Sequence, residues 1–231
     1  MDASGVHDLL VGLQRDHAHG ESPGGRLARA CSDLVAVDSA GVVLIDHHGN
    51  ASPLGVSNEA AGAVEDLQFT LGEGPAFDAH TGGRAVLEPS LDATLDDRWP
   101  AFAPAAVEAG YLGAFGFPLR MGAAKFGALD LYQDRRGDLG RDQLTDAISM
   151  SEIVTRAVIA VQADADMGAL AADLDDADLR TQVHQAAGMV AAQLDIPVTD
   201  ALVRLRAHAY AQGRPINEVA LDVVERRLRL E

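Results

Sequence analysis

The chain has 231 residues, 48% of them apolar, and a formal net charge of −17. That length supplies one large or two small cores, the charge excludes a protein that binds nucleic acid over its whole surface, and a single cysteine, Cys31, excludes an internal disulfide. No apolar run approaches the ~20 residues that cross a bilayer, and "MDASGVHDLL" lacks the basic start of a leader, so a cytoplasmic protein with no membrane partner is expected.

Residues 1–25 read as a weakly structured arm, in which "VHDLLVGLQR" could form a turn or two of helix before "HAHGESPGG" breaks it. His17 and His19 have no acidic or cysteine partners beside them and read as solvated loop. From 26 to 140, helix and strand signals alternate. "RLARACSDLVAV" is helical and packs Cys31 inward, "AGVVLID" is a buried strand closed by "HHGN", and "EAAGAVEDLQ" is helical again. "AVLEP" reads as an edge strand stopped by Pro89, "WPAFAPAAVEAG" as a helix, and "AFGFPL" and "FGALDLY" as two further strands. Strands joined by short turns argue for an antiparallel sheet with helices packed on it, an α+β layer.

Residues 141–178 form a helical connector. Leu144, Ala147, Ser151, Val154, Val158 and Val161 recur at spacings of three and four, giving one apolar or small stripe. Such a stripe either packs on its own sheet or makes a parallel seam between two protomers of a homodimer. "QADADMGALAADLDDAD" then offers helix formers with little apolar surface. In 179–231, Leu179, Val183, Ala186, Val190 and Leu194 line one helix. Thr199 is the expected N-cap of a second that carries Leu202, Leu205 and Ala209 and stops at Gly213; Pro215 and Asn217 open a third. Each stripe alone is marginal, so the three helices must share a core.

Charge is divided unevenly. Residues 179–231 hold seven arginines against six acids, a net of +1, so the preceding 178 residues carry −18. Catalytic templates are missing: there is no P-loop, no HExxH and no nucleophile elbow, and "GEGPAF" (72–77) lacks the third glycine of a dinucleotide fingerprint and reads as a backbone turn. Asp173, Asp175, Asp176 and Asp178 read as a solvated face. No enzyme is expected. On the second helix of the bundle, Arg204, Arg206 and Tyr210 lie off the core positions. Guanidinium groups pair with phosphate, and both they and a tyrosine ring stack on unpaired bases, which is how RNA loops are usually read.

Two stretches resemble known families. "HQAAGMVAAQLDIPVTDALVRLRAHAYAQGRPINEVALDVVERRL" (184–228) resembles the ANTAR domain, a three-helix RNA-binding module of bacterial transcription antiterminators, through Gln185, Ala186 and Gly188, then Ala201, Leu205, Arg206 and Ala209, then Val219, Ala220 and Val223. "EDLQFTLGEGPAFDAH" (65–80), "RWPAFAPAAVEAG" (98–110) and "GAFGFPLRMGAAKFGALDLY" (113–132) resemble a GAF domain, a six-stranded antiparallel sheet flanked by helices that senses small molecules or mediates dimerisation. Relatives often have cysteine where Ala76 stands, and many ANTAR domains have lysine or a polar residue at the position of Ala187.

The resemblance implies an arm (1–25), a GAF sensor (26–140), a helical connector (141–178) and an ANTAR bundle (179–231). The implied output is antitermination by a homodimer that binds hairpin loops in nascent transcripts, with Gln185, Ala187, Gly188, Arg204, Arg206 and Tyr210 facing RNA. A small-molecule ligand in the GAF domain is also implied, but no cofactor is assigned. His47, His48 and His80 could ligate haem, yet a lone loop histidine is usually solvated. Two other outputs fit the same residues: a DNA-binding helix-turn-helix, or a bundle that mediates protein association beside a dimeric GAF scaffold.

Overall fold

The computed structural model describes residues 22–46, 49, 51–93, 98–163 and 175–230. By its contacts the chain divides into two units, the second comprising Ala171–Glu231 together with Phe69–Gly72. Residues 1–21 of the expected N-terminal arm, His47, His48 and 164–174 of the connector lie outside the described residues, and the arm's last residues, 22–25, instead form the cap and first turn of a helix.

The first unit opens with helix α1 (Pro23–Val35), whose start is set locally: Ser22 accepts the Gly25 amide at 3.0 Å and Pro23 follows it. Leu27, Ala28, Cys31 and Val35, spaced by one, three and four residues, are buried. The helix start lies directly on the sheet, where a Cβ at Gly24 would stand 1.7 Å from the Leu54 carbonyl oxygen and one at Gly55 would stand 2.0 Å from the Gly24 carbonyl carbon. Strands β1 (Ser39–Ile45) and β2 (Ala51–Val56) follow, with a register shift between Val42 and Val43. Asn58 then caps helix α2 (Glu59–Leu71) by accepting the Ala61 amide at 2.8 Å.

Helix α3 (Pro75–Gly82), strand β3 (Val86–Glu88), a single 3-10 turn (Leu91–Ala93) and helix α4 (Phe102–Glu108) lead to the hairpin of β4 (Gly113–Met121) and β5 (Ala124–Gln133). The Glu73 carboxylate accepts the Ala101 and Phe102 amides at 3.1 and 3.2 Å, satisfying donors that the start of α4 would leave orphaned. The sheet runs β2-β1-β5-β4-β3, antiparallel at every pairing. β5 alternates as a two-faced strand must: Leu129 and Leu131 join the main apolar core with α1 and with helix α5 (Arg141–Ala163). Asp130 and Tyr132 point to the opposite face.

The expected α+β layer is present, with corrections. Five strands are present among the described residues, where the GAF resemblance implied six. β2 was not anticipated; Pro53 interrupts its strand pattern, which an edge position tolerates. "GEGPAF" is more than a turn, because α3 starts at its proline. In the stripe along α5, Ala147, Ser151, Val154 and Val158 are buried, and three of them belong to the sheet's core cluster. This part of the stripe therefore packs on its own sheet and does not form a seam between protomers.

The second unit contains α6 (Asp175–Leu194), α7 (Val198–Gln212) and α8 (Ile216–Val224). Val183, Ala186 and Val190 of α6, Ala201, Leu202, Leu205 and Ala209 of α7, and Ile216, Val219, Ala220 and Val223 of α8 are all buried, so the helices share one core as their stripes require. Helix α7 begins without a side-chain cap after Pro197, and Thr199 sits in its first turn instead of at the expected N-cap. It ends at Gly213, which is left-handed (φ 59°), with the Arg214 amide returning to the Ala209 carbonyl at 3.0 Å. Among the described residues no single helix is long and apolar enough to cross a membrane.

Candidate functional site

The face of β5 opposite the apolar core carries polar groups that α2 and α3 cover. Gln68 of α2 donates to Asp130 at 3.0 Å and to the Tyr132 hydroxyl at 2.8 Å, and its own carbonyl accepts the Ala76 amide at 3.0 Å. The Tyr132 hydroxyl donates to Glu65 at 2.8 Å. Glu65, Gln68, Asp130 and Tyr132 are all buried. Burial pushes the Asp130 carboxyl well above the usual carboxylate range, and the neighbouring Glu65 carboxylate pushes it further; Gln68, which hydrogen-bonds the ionised form, opposes them. Burial likewise raises the Tyr132 phenol.

The interior of this unit is thus a linked set of two acids, an amide and a phenol, in which burial favours the protonated forms of Asp130 and Tyr132. Tyr111 extends it: its ring centroid lies 5.2 Å from that of Tyr132, and its hydroxyl shares a 2.6 Å hydrogen bond with Ser39. A sequence reading missed the cluster because Glu65 and Gln68 have ordinary surface spacing on α2. The available signal was Asp130, a lone acid inside the apolar run "FGALDLY".

At the third histidine, His80, burial and the nearby Lys125 lower the imidazole pKa, favouring the neutral ring. Its Nδ1 is buried without a hydrogen-bond partner among the described residues. Among the described residues no group of three His, Cys, Asp or Glu is placed to hold a metal ion.

The six residues expected to face RNA fall on two helices. Gln185 and Gly188 share one face of α6, three residues apart, and both keep solvent contact. A Cβ at Gly188 would meet nothing within 4 Å, so no neighbouring helix requires the glycine. Ala187 is corrected: it points to a different side of α6 and is fully buried, with no surface to offer RNA. On α7, Arg204 and Tyr210 are exposed, Tyr210 at 65%.

Arg206 is only half-buried rather than open, and burial lowers its guanidinium pKa to about 10. The strip beside Tyr210 is instead completed by Val203, seven residues earlier and 61% exposed. The expected row of cations with an aromatic is therefore an apolar and aromatic strip, with Arg204 on a separate line of the helix.

No family model and no curated protein matches the chain. Among solved structures it is similar to the GAF domain of a phosphoenolpyruvate-protein phosphotransferase from Coxiella burnetii, with a TM-score of 0.50 and 15% identity over 72% of this chain and 100% of that one. The GAF domain of an Acinetobacter phosphoenolpyruvate-protein phosphotransferase is also similar, with a TM-score of 0.49 and 13% identity over 72% of this chain and 100% of that one. So is a free methionine-R-sulfoxide reductase from Neisseria meningitidis, with a TM-score of 0.49 and 12% identity over 69% of this chain and 89% of that one. At such identity the likeness concerns fold alone. The antiparallel sheet flanked by helices in the first unit has the GAF fold.

Proposed function

We propose that the chain is an RNA-binding transcription antitermination regulator: a GAF-fold sensory unit joined to a three-helix unit that binds hairpin loops in a nascent transcript and so keeps a terminator from forming. The observation that carries this reading is how the ANTAR-like residues divide. Ala186, Ala201, Leu205, Ala209, Val219, Ala220 and Val223 are buried in the common core, while Gln185 and Gly188 stay accessible. A surface glycine whose Cβ would touch nothing allows another molecule's backbone or base to approach closely. Exposed Tyr210 and Arg204 supply a stacking ring and a cation.

In this reading the protein is a homodimeric regulator rather than an enzyme, and it acts in the cytoplasm, where transcripts are made. A small molecule that reached the polar cluster of the GAF-fold unit would exchange hydrogen bonds with Gln68, Asp130 and Tyr132. Such a differential contact is what a ligand needs to shift a conformational equilibrium.

Single-round transcription of a template with a tandem-hairpin leader ahead of an intrinsic terminator tests the proposal. Read-through should rise with added protein and should not rise when the loops are scrambled; equal read-through on both templates would contradict it. A second reading has one observation in its favour: Val203 and Tyr210 together form an exposed apolar strip suited to a protein partner. Oligomerisation that V203S/Y210S abolishes, in a protein that never binds RNA, would favour that reading.

A further inference from the structure

The seven arginines of the C-terminal region are not equivalent once folded. Arg214 pairs with Asp222 at 2.8 Å and with Glu218 at 3.5 Å, and Arg227 pairs with the other Asp222 oxygen at 2.8 Å and with Glu225. Three of the unit's acids are thereby occupied, and Asp222 becomes a clamp between the start and the end of α8. The chain turns back there: the Arg227 and Leu228 amides donate to the Asp222 carbonyl at 2.7 and 3.0 Å, Arg226 adopts a left-handed conformation (φ 60°), and Leu230 is buried.

Arg226 and Arg229, by contrast, form no ion pair among the described residues. Both line a groove of about 600 Å³ whose other wall is Met189, Ala192 and Gln193 of α6. No acid lines it. In a chain of net charge −17, two arginines beside a groove without a carboxylate are a local reversal of sign. A non-glycine residue held left-handed is strained, and such strain collects at functional positions. The α6 wall has a second property: Gln185, Gly188, Met189, Ala192 and Gln193 recur at spacings of three and four, so the groove lies on the accessible face that carries Gln185 and Gly188.

We infer that this groove seats one unstacked nucleotide of an RNA loop, with Arg226 and Arg229 on the flanking phosphates, Met189 against the base and Gln193 on its hydrogen-bonding edge. The volume lies within the range of pockets that enclose ligands of nucleotide size. A polarizable methionine and a glutamine amide suit a base's face and edge, and guanidinium forks suit phosphate. This inference rests on the RNA-binding reading and makes it specific, moving the main phosphate contacts from α7 to the C-terminal turn.

The test is fluorescence anisotropy of a labelled two-hairpin RNA with the full chain, R226Q/R229Q and R227Q, each checked for unchanged helicity, at several salt concentrations. R226Q/R229Q should lower affinity at least tenfold and make the slope of log affinity against log salt shallower by about 1.4, at ~0.7 for each single-stranded phosphate left without its cation. R227Q, which removes one cation that lies outside the groove, should leave the slope nearly unchanged. Wild-type binding with the same affinity and slope in R226Q/R229Q would overturn the groove while leaving the RNA-binding reading intact. The same loss per arginine removed in R226Q/R229Q and in R227Q would also overturn it, because net charge alone would then matter. Absence of RNA binding by the wild-type chain would overturn both. A change in sedimentation without a change in RNA binding in R226Q/R229Q would make the groove a protein-binding surface and overturn the inference.

Discussion

Replacing Asp130 by asparagine probes the buried cluster of the GAF-fold unit through its pH dependence. Asp130 is fully buried, accepts from Gln68 and stands beside Glu65, so its folded pKa lies well above that of the unfolded chain. Below the ordinary carboxylate value of about 4 the group is protonated in both states and its contribution to stability is fully present. Above it, the unfolded chain releases a proton that the folded protein retains. Stability is therefore lost, at ~1.4 kcal/mol per pH unit for one retained proton, until the pH passes the folded pKa. D130N cannot titrate, yet its amide oxygen can still accept from Gln68 and its NH2 can donate to Glu65.

The difference in unfolding free energy, D130N minus wild type, should consequently rise with pH above the unfolded carboxylate's pKa, with a limiting slope of ~1.4 kcal/mol per pH unit while the proton is retained. Urea unfolding followed by tryptophan fluorescence suits the measurement, because the chain's one tryptophan, Trp99, is buried in the same unit. Curves for the two proteins that stay parallel above the unfolded carboxylate's pKa would refute the account of a proton retained on buried Asp130, and a difference that falls with pH would reverse its sign.

Gln68→Leu keeps the volume of the side chain but strands the Asp130 and Tyr132 groups and the Ala76 amide, so unfolding should become easier by roughly 3 kcal/mol, measured in the same urea assay. Gly74→Ala should cost at least ~2 kcal/mol and lower the melting temperature, because Gly74 is at φ 128° and its Cβ would lie 2.2 Å from the Gln68 side-chain oxygen. Cys31 is fully buried and burial pushes its thiol up to about 12, so maleimide should label it only under denaturing conditions; fast labelling of the native protein would contradict the packing of α1. Tyr210→Ala should weaken loop-RNA binding by ~1–3 kcal/mol, the worth of one stacked base, without changing the salt slope.

Much of the architecture was legible because periodicity reports burial. "FGALDLY" and "AFGFPL" alternate as half-buried strands do, and Leu202, Leu205 and Ala209 recur as a helix core does. β2 was hidden because Pro53 and Gly55 belong to turns as readily as to an edge strand. α3 was hidden because its start follows Gly74, whose positive φ and close approach to the Gln68 side chain no local pattern announces.

The candidate sites were less legible. Composition cannot say which arginines are occupied by acids: Arg214 and Arg227 converge on Asp222, so they are spent on the fold, whereas Arg226 and Arg229 differ from them only through a left-handed turn. Ala187 was misjudged for the same reason, and the half-burial of Arg206 was equally hidden, since burial depends on packing beyond the helix itself. The clustering of Glu65 with Asp130 likewise joins positions far apart in the chain.

Charge division gives the proposed output its setting. An acidic first unit repels polyanions at long range, which leaves a small cationic surface in the second unit to select an RNA by contact. Neutralising several acids on the first unit should therefore raise non-specific RNA binding, most of all at low salt.

The most direct measurement of the central claim is a titration of the purified full chain against a two-hairpin RNA, the same RNA with scrambled loops, and duplex DNA, at two salt concentrations. Loop-dependent RNA binding that weakens with salt, with little affinity for duplex DNA, is the predicted result. Equal binding to all three, or binding to none, would contradict it.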